Sequence, residues 1–211
     1  MPFDKQPRAC YADRMQIDGL DWMDWLHKMR AENARLRREK GISVADAPAE
    51  QTRHRPLLYL ETSVFGFCFD ENPRNALRRE AVVALLNQIR LGILEAGTSP
   101  VTFHEFDNAA EPLRSSLMAF LDDVRMLPAD DDEVERLAAV YIREQVIPER
   151  YADDARHVAY ATVCKADVLV SLNLRHLANE LTERKVAAVN LREGYQVLRI
   201  KTPEEVLSYE D

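Results

Sequence analysis

Two short apolar runs, each ending in a polar side chain, constrain this chain more than any other feature. Leu57-Leu58-Tyr59-Leu60 leads into Glu61-Thr62-Ser63-Val64, and Val168-Leu169-Val170 leads into Ser171-Leu172-Asn173. Neither run alternates apolar with polar residues, so each reads as a strand buried on both faces, as in a parallel sheet. Open parallel sheets take their ligands just outside the carboxyl ends of the strands. Side by side, these two strands aim Glu61 and Asn173 at one spot.

The rest of the chain reads as alternating helices and strands. Helices are expected over Arg74 to Leu91, Leu113 to Leu121 and Tyr151 to Lys165. Another follows Asp130 and Asp131, with Val134, Leu137, Ala138, Tyr141 and Ile142 at helical spacing. On the first of these, Leu77, Ala81 and Leu85 lie on one line with Val82, Leu86 and Ile89 beside it. Gly66 to Pro73 reads as a loop. Ser99-Pro100 reads as a helix start leading through Glu105. Short strands are expected at Ile93 to Ala96, Val124 to Leu127 and Val186 to Val189, with a closing helical turn over Pro203 to Leu207. This alternation predicts an α/β fold with a central parallel sheet over residues 57–211.

Residues 1–56 are different. The first 16 have no clear period and read as loosely ordered. From Trp22, an amphipathic helix carries Trp22, Trp25, Leu26, Met29 and Leu36 on one stripe and Lys28, Arg30, Arg35, Arg37, Arg38 and Lys40 elsewhere, with Gly41 as its C-cap. Residues 42–56 hold Pro48 and Pro56 and read as a linker. No apolar run approaches the ~18 residues of a membrane span, and the amino terminus lacks the apolar core of a signal peptide. Cys10, Cys68 and Cys164 are odd in number and widely spaced, so free thiols in a reducing cytoplasm are expected.

Charge narrows the function. The net charge of −8 is uneven: residues 1–56 carry 11 Lys/Arg against 9 Asp/Glu, and residues 57–211 carry 17 against 27. An acidic body is a poor general binder of nucleic acid. A phosphodiester substrate would need a cation between itself and that body. Glu61 ends a strand, Glu105 lies on a helix after a strand, and Asp154 sits in the first turn of Tyr151-Ala152-Asp153-Asp154-Ala155-Arg156-His157, where the helix dipole favours a carboxylate. Asn173 ends the second buried strand. An oxygen-donor set without a His or Cys cluster suits Mg²⁺ or Mn²⁺ rather than zinc. No serine sits on a nucleophile elbow and no glycine-rich loop cradles phosphates.

In their order and spacing, Leu60-Glu61-Thr62-Ser63-Val64, Glu105, Asp154-Ala155-Arg156-His157-Val158-Ala159 and Val170-Ser171-Leu172-Asn173 resemble the motifs of PIN-domain ribonucleases, a family that includes the VapC-type toxins. The resemblance covers about residues 57–208. It implies an α/β/α sandwich and Mg²⁺- or Mn²⁺-dependent hydrolysis of RNA, with Glu61, Glu105, Asp154 and Asn173 at the metal. Glu61 stands where the family has Asp, and so does the neutral Asn173. Asp153 is a further candidate ligand, although adjacent helical residues point about 100° apart; capping or support is its other reading. Thr62 and Ser63 either bond the turn after the strand or hold the metal's water. His157, one turn after Asp154, reads as a packing or supporting histidine ahead of a general base, and His104 and His176 as surface or packing residues.

A second reading, carried by Asn173, is a PIN-type fold that binds RNA or a protein without cutting. The resemblance also implies a role for residues 17–40. They are similar to an antitoxin-like helix fused ahead of its nuclease, with basic residues facing an acidic body. The linker is long enough to reach the same nuclease or a neighbour's, so a homodimer with exchanged helices is expected. Packing as an added helix on its own domain is the plainer alternative.

Overall fold

The computed structural model describes residues 55–208 and, before them, Gln16–Ile17, Leu20–Asp21, Lys28, Ala31 and Arg35. Gln16–Ile17 (β1) pairs antiparallel with Leu20–Asp21 (β2), so Gln16, read as part of a loosely ordered segment, belongs to a paired strand. Lys28, Ala31 and Arg35 are helical and exposed, inside the span expected to be helix. The apolar stripe of that helix, its Gly41 cap, the linker over 42–54 and Cys10 lie outside the described residues. No helix among the described residues is long and apolar enough to cross a membrane.

The body is a three-layer α/β/α sandwich around a five-stranded, all-parallel sheet. Its strands are β3 (Leu57–Leu60), β4 (Glu95–Thr98), β5 (Arg125–Met126), β6 (Val168–Val170) and β7 (Arg199–Lys201), in the order β5-β4-β3-β6-β7. Eight α-helices accompany them: α1 (Thr62–Gly66), α2 (Ala76–Arg90), α3 (Pro100–Asp107), α4 (Leu113–Met118), α5 (Asp131–Arg143), α6 (Ala152–Val163), α7 (Glu180–Glu193) and α8 (Pro203–Ser208). Successive strand residues face opposite layers. Leu58, Leu60 and Val170 join a core with Val82, Leu85 and Leu86 of α2 and Val206 of α8. Tyr59 and Leu169 join a second core with residues of α5, α6 and α7. From β3 the chain builds outward through β4 to β5, then returns to the other side of β3 to place β6 and β7. The strand order therefore reverses between β3 and β6, where such sheets open a crevice.

Local chemistry sets the ends of these elements. Asp130 caps α5 by accepting from the Glu133 backbone N–H at 2.9 Å, and Asp131, Asp132 and Glu133 crowd its positive end. Ser99 caps α3, with Pro100 in its first turn. Asn179 caps α7, and Gly194, at φ 85°, ends it.

Four readings are corrected. Val186 to Val189 is helical, inside α7: Val186 and Val189 are three apart and share its buried face, while the edge strand is β7, at 199–201. The strand expected at Ile93 to Ala96 is Glu95–Thr98, because Gly92, at φ 72°, turns the chain just before it. The Gly66 to Pro73 loop instead holds the end of α1 and a 3-10 turn over Phe67–Phe69. Leu77 is 78% exposed, since α2 turns Val82, Leu85 and Leu86 inward.

Gly97 lies in β4 because the neighbouring strand passes close. A Cβ there would lie 2.5 Å from Leu127 Cγ and 2.9 Å from the Arg125 carbonyl oxygen. Gly66, at φ −60°, has nothing within 4 Å of its would-be Cβ. Gly97→Ala is therefore expected to lower unfolding free energy by about 1–3 kcal/mol. Gly66→Ala is expected to raise it by about 0.4–1 kcal/mol by restricting the unfolded chain. Urea unfolding of the two variants checks both signs.

Candidate active site

Glu61 follows the last residue of β3 and is the N-cap of α1. It is 5% exposed. Its carboxylate accepts from the Ser63 backbone N–H at 3.0 Å, from the Ser63 hydroxyl and from the Ser171 hydroxyl at 2.8 Å. The backbone is tied across the switch point as well, with Glu61 N–H donating to Val170 O at 3.1 Å. Ser63 therefore serves the carboxylate as well as the turn, and its Oγ also accepts from the Leu172 N–H at 2.8 Å.

Glu105 arrives from α3, after β4. Its carboxylate accepts from the Thr62 hydroxyl and sits 2.7 Å from His157 Nε2. His157, on α6, is 1% exposed. Its Nδ1 lies 2.7 Å from the hydroxyl of Tyr59, which lies 2.6 Å from Ser99 Oγ. A buried line thus runs from Ser99 through Tyr59 and His157 to Glu105. Burial lowers the proton affinity of His157, but the Glu105 hydrogen bond and the charges of Glu61, Glu105 and Asp154 outweigh it and move the imidazole above its ordinary value. Burial raises the Glu105 carboxyl, and the His157 bond, the His157 charge and the Thr62 bond outweigh that and hold it below its ordinary value. With both ring nitrogens engaged and almost no exposure, His157 holds Glu105 in place; the supporting role read from the sequence agrees with this geometry.

Asp154, in the first turn of α6, faces the same crevice. Burial, then the Glu61 charge, push its carboxyl up to about 6, with Glu105 adding to the rise and His157 and Asn173 opposing it. Asn173 bridges outward from it. Its Nδ2 donates to Asp154 Oδ2 at 3.0 Å, and its Oδ1 accepts from the His176 N–H at 3.1 Å. Only an amide gives both contacts at once. An aspartate at 173 would set a second carboxylate against Asp154.

The fold thus brings Glu61, Glu105, Asp154 and Asn173 to the ends of β3, β4 and β6 and the start of α6. Asp153 is turned away. Its carboxylate takes the Arg156 guanidinium at 2.8 Å, and Arg156 also donates to Glu135 at 2.7 Å. Asp153 and Arg156 line a cavity of about 520 Å³ whose wall includes Glu105. Among the described residues, no group of three or more His, Cys, Asp or Glu side chains stands at metal-ligand spacing. Each carboxylate is instead turned onto its own hydroxyl, imidazole or amide. The donor set nonetheless suits a hard divalent cation: it is all oxygen, and Asp154 carries the repulsion of two neighbouring carboxylates that such a cation relieves.

Tyr59 and Ser99 did not stand out in the sequence. A tyrosine in an otherwise aliphatic buried run was the available signal, because a buried phenol needs a polar partner. His104 is exposed, and His176 stacks on Tyr151. Cys68 and Cys164 are free thiols, and burial pushes Cys68 up to about 12 and Cys164 to about 11. No protein-family model matches the chain, and no curated protein matches it either.

The Asp154 shift has a definite sign. Its folded pKa of about 6 lies above the roughly 3.9 of an unperturbed aspartate. Its favourable contribution is therefore complete below about pH 4 and is lost as pH rises through about 6. Asp154→Asn is expected to be more stable than wild type near neutral pH by on the order of 1–2 kcal/mol, after screening of a half-buried group. The difference should close near pH 4, as read by urea unfolding across that range.

Proposed function

We propose that this chain is a PIN-type endoribonuclease that depends on Mg²⁺ or Mn²⁺. The observation that carries the reading is that Glu61, Glu105 and Asp154 share the crevice at the switch point of a parallel sheet, where burial, then the Glu61 and Glu105 charges, lift Asp154 to about 6. The resemblance of the same residues to the ordered PIN motifs supports it. Glu61, Glu105 and Asp154 would hold the ion, with Asn173 assisting. A bound divalent ion lowers the pKa of its water and neutralises charge on a scissile phosphate.

The chain's own residues prepare that site. The Ser63 and Ser171 hydroxyls fix Glu61 at the strand end. His157, backed by Tyr59 and Ser99, fixes Glu105. Asp154 must give up its proton to serve as a ligand, so activity is expected to fall as pH drops through about 6. Asp153 is committed to Arg156 and is not among the ligands of this proposal.

The rival reading, an RNA- or protein-binding fold without cleavage, draws on Asn173, whose amide is neutral and already bonded on both sides. One assay separates the two. Incubation of the full chain with a mixed RNA pool and Mn²⁺ is expected to give cleavage. Glu61→Gln or Asp154→Asn should reduce it by more than the roughly 10–100-fold typical of losing an outer hydrogen-bond partner of a metal site. Tight RNA binding without metal-dependent cleavage in any of these proteins favours the rival.

A further inference from the structure

Beside the acid cluster the surface changes character. Tyr151 and His176 stack with ring centroids 3.8 Å apart and planes tilted by 31°. The Arg150 guanidinium carbon lies 4.9 Å from the Tyr151 ring centroid. Arg175 directly precedes His176 on the same loop. Arg150 and Arg175 are exposed, and Tyr151 and His176 are partly so.

Two features mark this patch. Neither Arg150 nor Arg175 has a carboxylate partner among the described residues. The patch is also joined to the acid cluster. Tyr151 directly precedes α6, whose first turn carries Asp154, and Asn173 bonds His176 on one side and Asp154 on the other.

We infer that Arg150, Tyr151, Arg175 and His176 form a subsite for single-stranded RNA, in which a nucleobase adds to the Tyr151–His176 stack and the two arginines take the flanking phosphates. The inference rests on the proposed nuclease reading and names its substrate class. Stacked aromatic rings with unpaired guanidinium groups are the chemistry that holds unpaired bases and their backbone. A base-paired strand buries its base faces in its own stack and offers nothing to this platform. The position explains how an acidic domain engages a polyanion: the strand is held by this cationic aromatic rim while one phosphate reaches over Asn173 toward the carboxylates.

The test is fluorescence anisotropy of the full chain in EDTA, with a short fluorescein-labelled oligouridine against a labelled RNA duplex. Wild type is expected to prefer the single strand. Tyr151→Ala should weaken oligouridine binding about tenfold, and Tyr151→Phe, which keeps the ring, should stay within about twofold. Arg150→Ala and Arg175→Ala should each flatten the dependence of log affinity on log salt by about 0.7. Thermal melting confirms that each variant is folded. Unchanged oligouridine binding by a folded Tyr151→Ala, unchanged salt slopes in both arginine variants, or equal affinity for duplex overturns the subsite. Mn²⁺-dependent cleavage by a wild type whose binding ignores Tyr151 leaves the nuclease standing without the platform. Tyr151-dependent binding by a chain that does not cleave leaves the platform and removes the nuclease.

Discussion

A carboxylate buried at the end of a strand is the constraint around which this molecule is arranged. Taking an ionised group out of water costs several kcal/mol unless hydrogen bonds replace its hydration. Glu61 is only 5% exposed, and it recovers those bonds from a backbone N–H and from two serine hydroxyls. One serine follows Glu61 in α1, and the other ends β6. The carboxylate therefore stitches the two strands together where the sheet order reverses. Replacing it by a shorter acid would have to move either the strand ends or the hydroxyls.

The neighbouring charges follow from that fixed point. Burial disfavours the charge of both Glu105 and Asp154, the Glu61 charge adds to this at Asp154, and each acid meets it differently. Glu105 gains an imidazole that is itself held by a buried phenol. Asp154 is bonded by the Asn173 amide, and burial, then the Glu61 charge, leave it with a raised proton affinity. The three acids are therefore held differently: Glu61 by hydroxyls and a backbone N–H, Glu105 by an imidazole, and Asp154 by an amide, with its carboxyl raised to about 6. Asn173 is then no mere loss of charge. It links the acid that titrates to the aromatic, cationic rim where a strand is proposed to lie.

Much of this was legible in the sequence because the signals were local. The unalternating runs at 57–60 and 168–170 marked the central strands, and the Asp130 cap with the Val134, Leu137, Ala138 and Tyr141 spacing marked α5. Glu61, Glu105, Asp154 and Asn173 were singled out from where they sit relative to those elements. The misread stretches were those where tertiary context decides. Val186–Ala187–Ala188–Val189 is too short for its period to separate strand from helix, and only the Asn179 and Gly194 ends settle it. Leu77 matches the apolar line of α2 yet points to solvent. The Ser99–Tyr59–His157 line joins residues 40 and 98 positions apart, which no spacing rule reveals. Asp153 stands beside Asp154 in the chain, and the step of about 100° around the helix that made it the lesser candidate sends it to Arg156.

Glu61, Glu105 and Asp154 are proposed to act as one divalent-cation site. Isothermal titration of the full chain with Mn²⁺ tests it most directly, run at about pH 7.5 and about pH 5.5, on either side of the Asp154 transition. One site of this kind gives saturable binding at the higher pH, weaker binding at the lower pH, and its loss in Glu61→Gln. Absence of saturable binding at the higher pH, or binding that Glu61→Gln leaves unchanged, would contradict it.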